Sequence, residues 1–228
     1  MKFSNPFKRL TRFELILWLS SLAVVSLSYV LSPSCDYLTL ATSLIGITGL
    51  IFISKGMVFG QVLIVVFALL YGAISYAFAY YGEMLTYIFM SAPAAIASII
   101  AWIRNPYGNT DEVKISRLTK KSLLISLFLT IAVTVAFYFI LKALNTANLF
   151  FSTLSVLTSF FASALTFLRS PYYALAYSAN DIVLIVLWVL AAIEDISYFP
   201  MIFCFIMFLL NDLYGFVNWK RMKRAQES

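Results

Sequence analysis

"RNPYGNTDEVKISRLTKK", Arg104–Lys121, is the one extended polar stretch between the apolar runs of this 228-residue chain. Its reading decides the fold, because it splits the chain into halves. Four apolar runs precede it: Phe13–Leu31, Leu38–Ser54, Met57–Tyr80 and Met84–Ile103. Four follow: Ser122–Leu141, Leu149–Leu168, Tyr172–Ala192 and Ser197–Val217. Each is near the roughly 20 residues that a helix needs to cross the hydrocarbon of a bilayer. The breaks, SPSCD, SKG, YYGE, NTAN, RSP and IEDIS, are short and carry turn-forming or charged residues.

Composition agrees. The chain is 62% hydrophobic and 11% charged, where a soluble domain carries about a quarter charged residues. This is an all-α integral membrane protein, and the bilayer is its first partner. The net charge of +6 does not signal nucleic acid. The basic residues fall in short clusters between apolar runs, which sets topology. With the N-terminus inside, every Lys and Arg except Lys142 sorts to inner segments, whereas Asp36, Glu83, Glu194 and Asp195 sort outside. Eight spans with both termini cytoplasmic follow, and Arg104–Lys121 reads as an inner topology anchor. Cys35 and Cys204 are far apart and histidine is absent, so neither a disulfide, a metal nor a cofactor is expected.

The halves resemble each other. TLATSLIGITGLIFI and FSTLSVLTSFFASALTFL are both Ser/Thr-rich helices ending at an inner basic residue, Lys55 or Arg169. Each leads to a helix reaching an outer acidic turn, then to one returning to Arg104 or Lys220. The plan is a leading helix followed by a 3+1+3 parallel repeat. Residues 1–37 hold the N-terminus and leading helix, 38–104 the first three-helix bundle and 105–148 the loop and linker helix. Residues 149–219 form the second bundle, and 220–228 a basic cytoplasmic tail. Parallel repeats are a transporter plan, with substrate near the midplane between repeats. Ser43, Gly46, Gly49, Ser159, Ala162 and Ser163 read as small residues for close helix packing.

Charged and amide side chains are costly at this depth and are kept for function. Asp181 and Asp212 each follow an Asn inside a span, with no Lys or Arg inside any span to pair with them. Three arrangements fit: neutral carboxyls, helix-to-helix hydrogen bonds, or a cation from outside. Tyr177, Asn180/Asp181, Leu184 and Trp188 recur at helical spacing on one face, as do Met207, Asn211, Tyr214/Gly215 and Asn218 on the next helix. Trp faces attract cations, and amides bond hydroxyls and carboxamides. The set suits a flat, cationic, polyhydroxylated ligand. Asn211 is the expected direct contact and Asp212, about 100° away on the helix, its helper. Gln61 and Tyr87 are further candidates. Glu83 reads as a helix N-terminal acid before a ligand, and Pro93 as a kink.

KGMVFGQ, YYGEMLTYIFMSAPAAIASIIAWIRNPY, SANDIVLIVLW and SYFPMIFCFIMFLLNDLYGFVNWKRM together resemble the PnuC family of bacterial vitamin transporters, from about Thr39 to Met222. The resemblance implies paired three-helix bundles on a plan similar to the SWEET sugar transporters. It implies uptake of nicotinamide riboside through the cytoplasmic membrane by facilitated diffusion, trapped by a cytoplasmic riboside kinase. Related members carry thiamine, riboflavin or nucleosides, and thiamine, also a cationic aromatic, is the nearest rival. Coupling to a proton or sodium ion through the two acids stays open, as does a homo-oligomer. An intramembrane enzyme is disfavoured: there is no His and no nucleophile–base set.

Overall fold

The computed structural model describes residues 5–33, 36–77 and 81–228. Cys35 and the outer end of the third run, at 78–80, lie outside them. The described residues are helical apart from turns, the irregular chain of the long loop and two isolated bridges, Met57 with Glu112 and Pro106 with Val113. Eight of the helical stretches are long and apolar enough to cross a bilayer. They are α1 (Arg12–Val30), α2 (Tyr37–Ser54), α3 (Val58–Ala77), a broken span Tyr81–Ile103, α6 (Lys120–Ala143), α7 (Leu149–Phe167), α8 (Tyr173–Glu194) and α9 (Phe199–Glu227). The broken span comprises α4 (Tyr81–Leu85), a π-helical stretch Thr86–Ser91 and α5 (Ala92–Ile103).

Local chemistry sets the boundaries. Thr11 and Glu14 close a capping box that starts α1. Asp36 and Thr119 accept the free N–H groups at the starts of α2 and α6. Gly56, at φ +66°, turns the chain between α2 and α3 in the left-handed region. Inside the broken span Pro93 has no N–H to give the Phe89 carbonyl, and the ladder widens, with the Ala92 N–H reaching back to the Tyr87 carbonyl. The kink expected at Pro93 thus takes the form of a π stretch. The basic residues of 220–228 prolong α9, because no Gly or Pro stops it.

α2 packs on α3 and α3 on α5; α7 packs on α8 and α8 on α9, with α6 against α7. The groups of helices meet where α2 lies on α9 and α5 on α7. α2 and α3 approach closely because Gly49 and Gly60 face each other: a Cβ on Gly60 would stand 2.7 Å from the Gly49 carbonyl oxygen. α1 crosses the α2–α9 seam and touches both. Arg9 pairs with Asp111 at 3.2 Å and Glu112 at 3.0 Å. Gln226 accepts from the Ile115 N–H and donates to the Val113 carbonyl. The N-terminal residues, the long loop and the end of α9 therefore share one end of the bundle, termed inner here; the opposite end is outer.

Candidate functional site

A narrow cavity of about 110 Å³ lies between the helix groups. Its lining alternates by element. α7 contributes Ser152, Ser155, Ser159, Ser163 and Thr166, a hydroxyl stripe at helical spacing. α3 brings Gln61 and Phe67, and the broken span brings Glu83, Thr86, Tyr87, Ser91 and Ser98. α8 brings Tyr173, Tyr177, Asn180 and Asp181; α9 brings Phe205, Phe208 and Asp212. Among the described residues the lining holds three carboxyl groups, from Glu83, Asp181 and Asp212, and no Lys or Arg.

Hydrogen bonds hold several of these groups in place. Thr158 donates to Asn180 Oδ1 at 2.9 Å, and the Ser163 and Tyr177 hydroxyls lie 2.9 Å apart. Tyr71 donates to Glu83 Oε2 at 2.8 Å. Asp181 and Asp212 are neighbours across the α8–α9 contact. Asp181 is 3% exposed, and its Oδ2 has no hydrogen-bond partner among the described residues. Burying an unpartnered acceptor is costly, which marks this oxygen as one that a ligand or proton completes. An aromatic cluster forms another wall: Phe67 and Phe208 have ring centroids 5.7 Å apart, and Phe67 and Tyr87 5.9 Å.

The structure brings Gln61, Tyr87, Tyr177, Asn180, Asp181 and Asp212 to this one cavity. It places four other expected residues elsewhere. Asn211, taken from sequence as the direct contact, turns away: its Nδ2 donates to Ser21 Oγ on α1 at 3.1 Å and to the Met207 carbonyl at 2.7 Å. Tyr214 donates to Glu14 Oε1 on α1 at 2.8 Å, and Asn218 to the Ser54 carbonyl of α2 at 2.9 Å. The Asn211–Tyr214–Asn218 stripe is the seat of α1 and α2. The cavity lies on the Asp212 side, so the two neighbours have exchanged the positions expected of them. Trp188 lies seven residues beyond Asp181, about 10 Å further along α8, and borders two outer recesses rather than the central cavity.

Sequence reasoning missed the α7 stripe, because Ser159 and Ser163 read as packing residues; the recurrence of five hydroxyls on one face was the signal. It read Glu83 as a helix-start acid first and a ligand second; the acid does lie in the first turn of α4, and it also borders the central cavity and both outer recesses.

A family model described as nicotinamide mononucleotide transporter matches residues 36–221. The chain is 25% identical over 217 residues to the nicotinamide riboside transporter PnuC of Neisseria mucosa, covering 93% of this chain and 82% of that protein. To the nicotinamide riboside transporter PnuC of Haemophilus influenzae it is 24% identical over 213 residues, covering 92% of this chain and 90% of the other. A crystal structure of the vitamin B3 transporter PnuC superposes with a TM-score of 0.81 at 25% identity, over 95% of this chain and 94% of that one.

Proposed function

This chain belongs to the nicotinamide mononucleotide transporter family, and from that premise we propose that it carries nicotinamide riboside, the unphosphorylated cation, across the bacterial cytoplasmic membrane. The single observation that carries the reading is the acidic character of the cavity: among the described residues its lining holds three carboxyl groups and no Lys or Arg. Unlike charges attract strongly in a low-dielectric site and like charges repel as strongly. Such a lining complements a fixed pyridinium charge and rejects a phosphate dianion. The hydroxyl stripe of α7 and the amides of Asn180 and Gln61 suit ribose hydroxyls and a carboxamide, and Tyr87 and Tyr177 offer ring faces to the pyridinium.

The proposed mechanism is facilitated diffusion by alternating access: the groups of helices, related as a parallel repeat, rock about the cavity. Both termini lie in the cytoplasm, where a riboside kinase phosphorylates the arriving substrate. The product carries the phosphate that the cavity repels, so it does not return.

Uptake into proteoliposomes of radiolabelled nicotinamide riboside, nicotinamide mononucleotide, thiamine and riboflavin, side by side, tests this. The riboside alone is expected to enter, stopping when inner and outer concentrations are equal. Asp181→Asn is expected to slow it about tenfold or more, the scale of a lost interaction with a charged group. Transport of the mononucleotide, or accumulation that collapses with a proton or sodium gradient, would overturn the reading.

A further inference from the structure

Two recesses open at the outer end. One lies between the start of α4, the α6–α7 connection and the last turns of α8. The other lies between the outer ends of α1, α2 and α3 and the turn into α9. Glu83 and Trp188 are the two residues bordering both, and Glu83 also lines the central cavity. Glu83 therefore stands where both recesses adjoin the central cavity, beside Gly82 and Ser152 for the first of them.

Trp188 is 8% exposed, and its Nε1–H has no acceptor among the described residues. Its ring packs beside Tyr198 and Phe205, at centroid distances of 5.7 and 6.5 Å. That packing explains the burial of the ring and leaves the orphaned N–H unexplained, because an unpaired buried donor is destabilising. Asp36 and Asp195 flank the second recess. The Ser197 N–H donates to Asp195 at 2.9 Å and holds its carboxyl below the usual range, so it is ionised at neutral pH. Acids within a Debye length of a mouth raise the local concentration of cations there.

We propose that Glu83 and Trp188 form a separate docking site at the outer mouth for an aromatic cation bearing a carboxamide. The carboxylate faces the positive ring and the indole N–H donates to the carboxamide oxygen, before the molecule moves past Glu83 to the central cavity. The site rests on the reading of this chain as a carrier of a pyridinium riboside.

Stopped-flow tryptophan fluorescence tests it, with N-methylnicotinamide, a pyridinium carboxamide without ribose, and neutral nicotinamide as probes. The cation is expected to give a fast quenching phase that Trp188→Phe abolishes, that Glu83→Gln weakens about tenfold and that Asp181→Asn leaves intact. Nicotinamide is expected to give none. Glu83→Gln retains an acceptor for Tyr71, and circular dichroism checks that both outer variants fold. Riboside uptake is measured alongside. Wild-type protein that transports the riboside but shows no Trp188-dependent phase overturns the outer site. A phase that Asp181→Asn removes and Glu83→Gln spares overturns it too, placing the cation in the central cavity. A Trp188-dependent phase without riboside uptake upholds the site and overturns the substrate reading instead.

Discussion

Asn211 Nδ2 donates to Ser21 Oγ at 3.1 Å, a side-chain bond between the last helix and the first. Ser21 is fully buried and Asn211 is 1% exposed. The most conspicuous amide of the last span therefore docks the leading helix, and its neighbour Asp212 faces the cavity. Asn211→Ala is expected to lower thermal stability, by about 1–2 kcal/mol, with riboside binding unchanged. Asp212→Asn is expected to weaken binding of the cation about tenfold, with stability held or raised. Unfolding in detergent and equilibrium binding, measured on both variants, check this; lost affinity in Asn211→Ala at unchanged stability would count against it.

How much was legible follows from the same pair. Span count and most boundaries were readable because bilayer thickness fixes helix length; the end of the last helix was not, since α9 runs on past Val217 to Glu227. That Asp181, Asn180 and Tyr177 share a wall was readable from helical spacing. Which face of α9 meets the cavity was not. Periodicity gives relative angles, whereas the face that α9 turns to the cavity depends on its packing against α1, α2 and α8. The displacement of Trp188 follows likewise: a shared face does not mean a shared depth, and seven residues carry it to the outer mouth.

Glu14 is the second anchor of α1. Lys55 Nζ lies 2.9 Å from both of its carboxylate oxygens, and the Glu14 side chain is 1% exposed. Losing one partner of a buried pair strands the other, at a cost of about 3–5 kcal/mol. Glu14→Gln and Lys55→Met are each expected to lower the melting temperature, and the double variant to recover part of the loss. Strictly additive losses would mean that the two charges are not coupled.

Gly60 is constrained by backbone. An added Cβ would stand 2.5 Å from the Ile53 nitrogen and 2.7 Å from the Gly49 carbonyl oxygen, whereas at Gly215 the nearest atom is the Tyr173 hydroxyl at 3.2 Å. Backbone cannot swing aside, so Gly60→Ala forces α2 and α3 apart at a cost of about 1–3 kcal/mol. Gly215→Ala is expected to cost less. Thermal denaturation of the two variants compares them directly; equal losses would show that α3 can slide.

The ion pairs from Arg9 to Asp111 and Glu112, and the bonds of Gln226 to the long loop, put the segment before α1 and the end of α9 at one end. Impermeant labelling of cysteines at Asn5 and Ser228 in intact cells, with Cys35 and Cys204 replaced by Ser, is expected to fail until the membrane is permeabilised. Labelling of either from outside would reverse the assigned orientation.

The last prediction concerns the inner closure. Trp102 of α5 and Trp219 of α9 are both fully buried, with ring centroids 5.4 Å apart, and Tyr173 of α8 lies 4.7 Å from Trp219. Trp219 Nε1 donates to the Ile53 carbonyl of α2 at 2.9 Å, and Trp102 Nε1 to the Thr166 carbonyl of α7 at 3.1 Å. These bonds tie helices of the first half to helices of the second, below the cavity. If the halves rock, these contacts break when the cavity opens inward. Trp219→Phe keeps most of the ring packing and removes one bond, worth about 1 kcal/mol, so the balance should move about fivefold toward the inward-open form. Ser159→Cys, on the cavity wall and in the background without Cys35 and Cys204, reports the change. Its labelling by an impermeant thiol reagent is expected to rise from the inner side and fall from the outer side when Trp219→Phe is added. Unchanged labelling from both sides would make the Trp102–Trp219 contact a fixed strut and move the inner gate elsewhere.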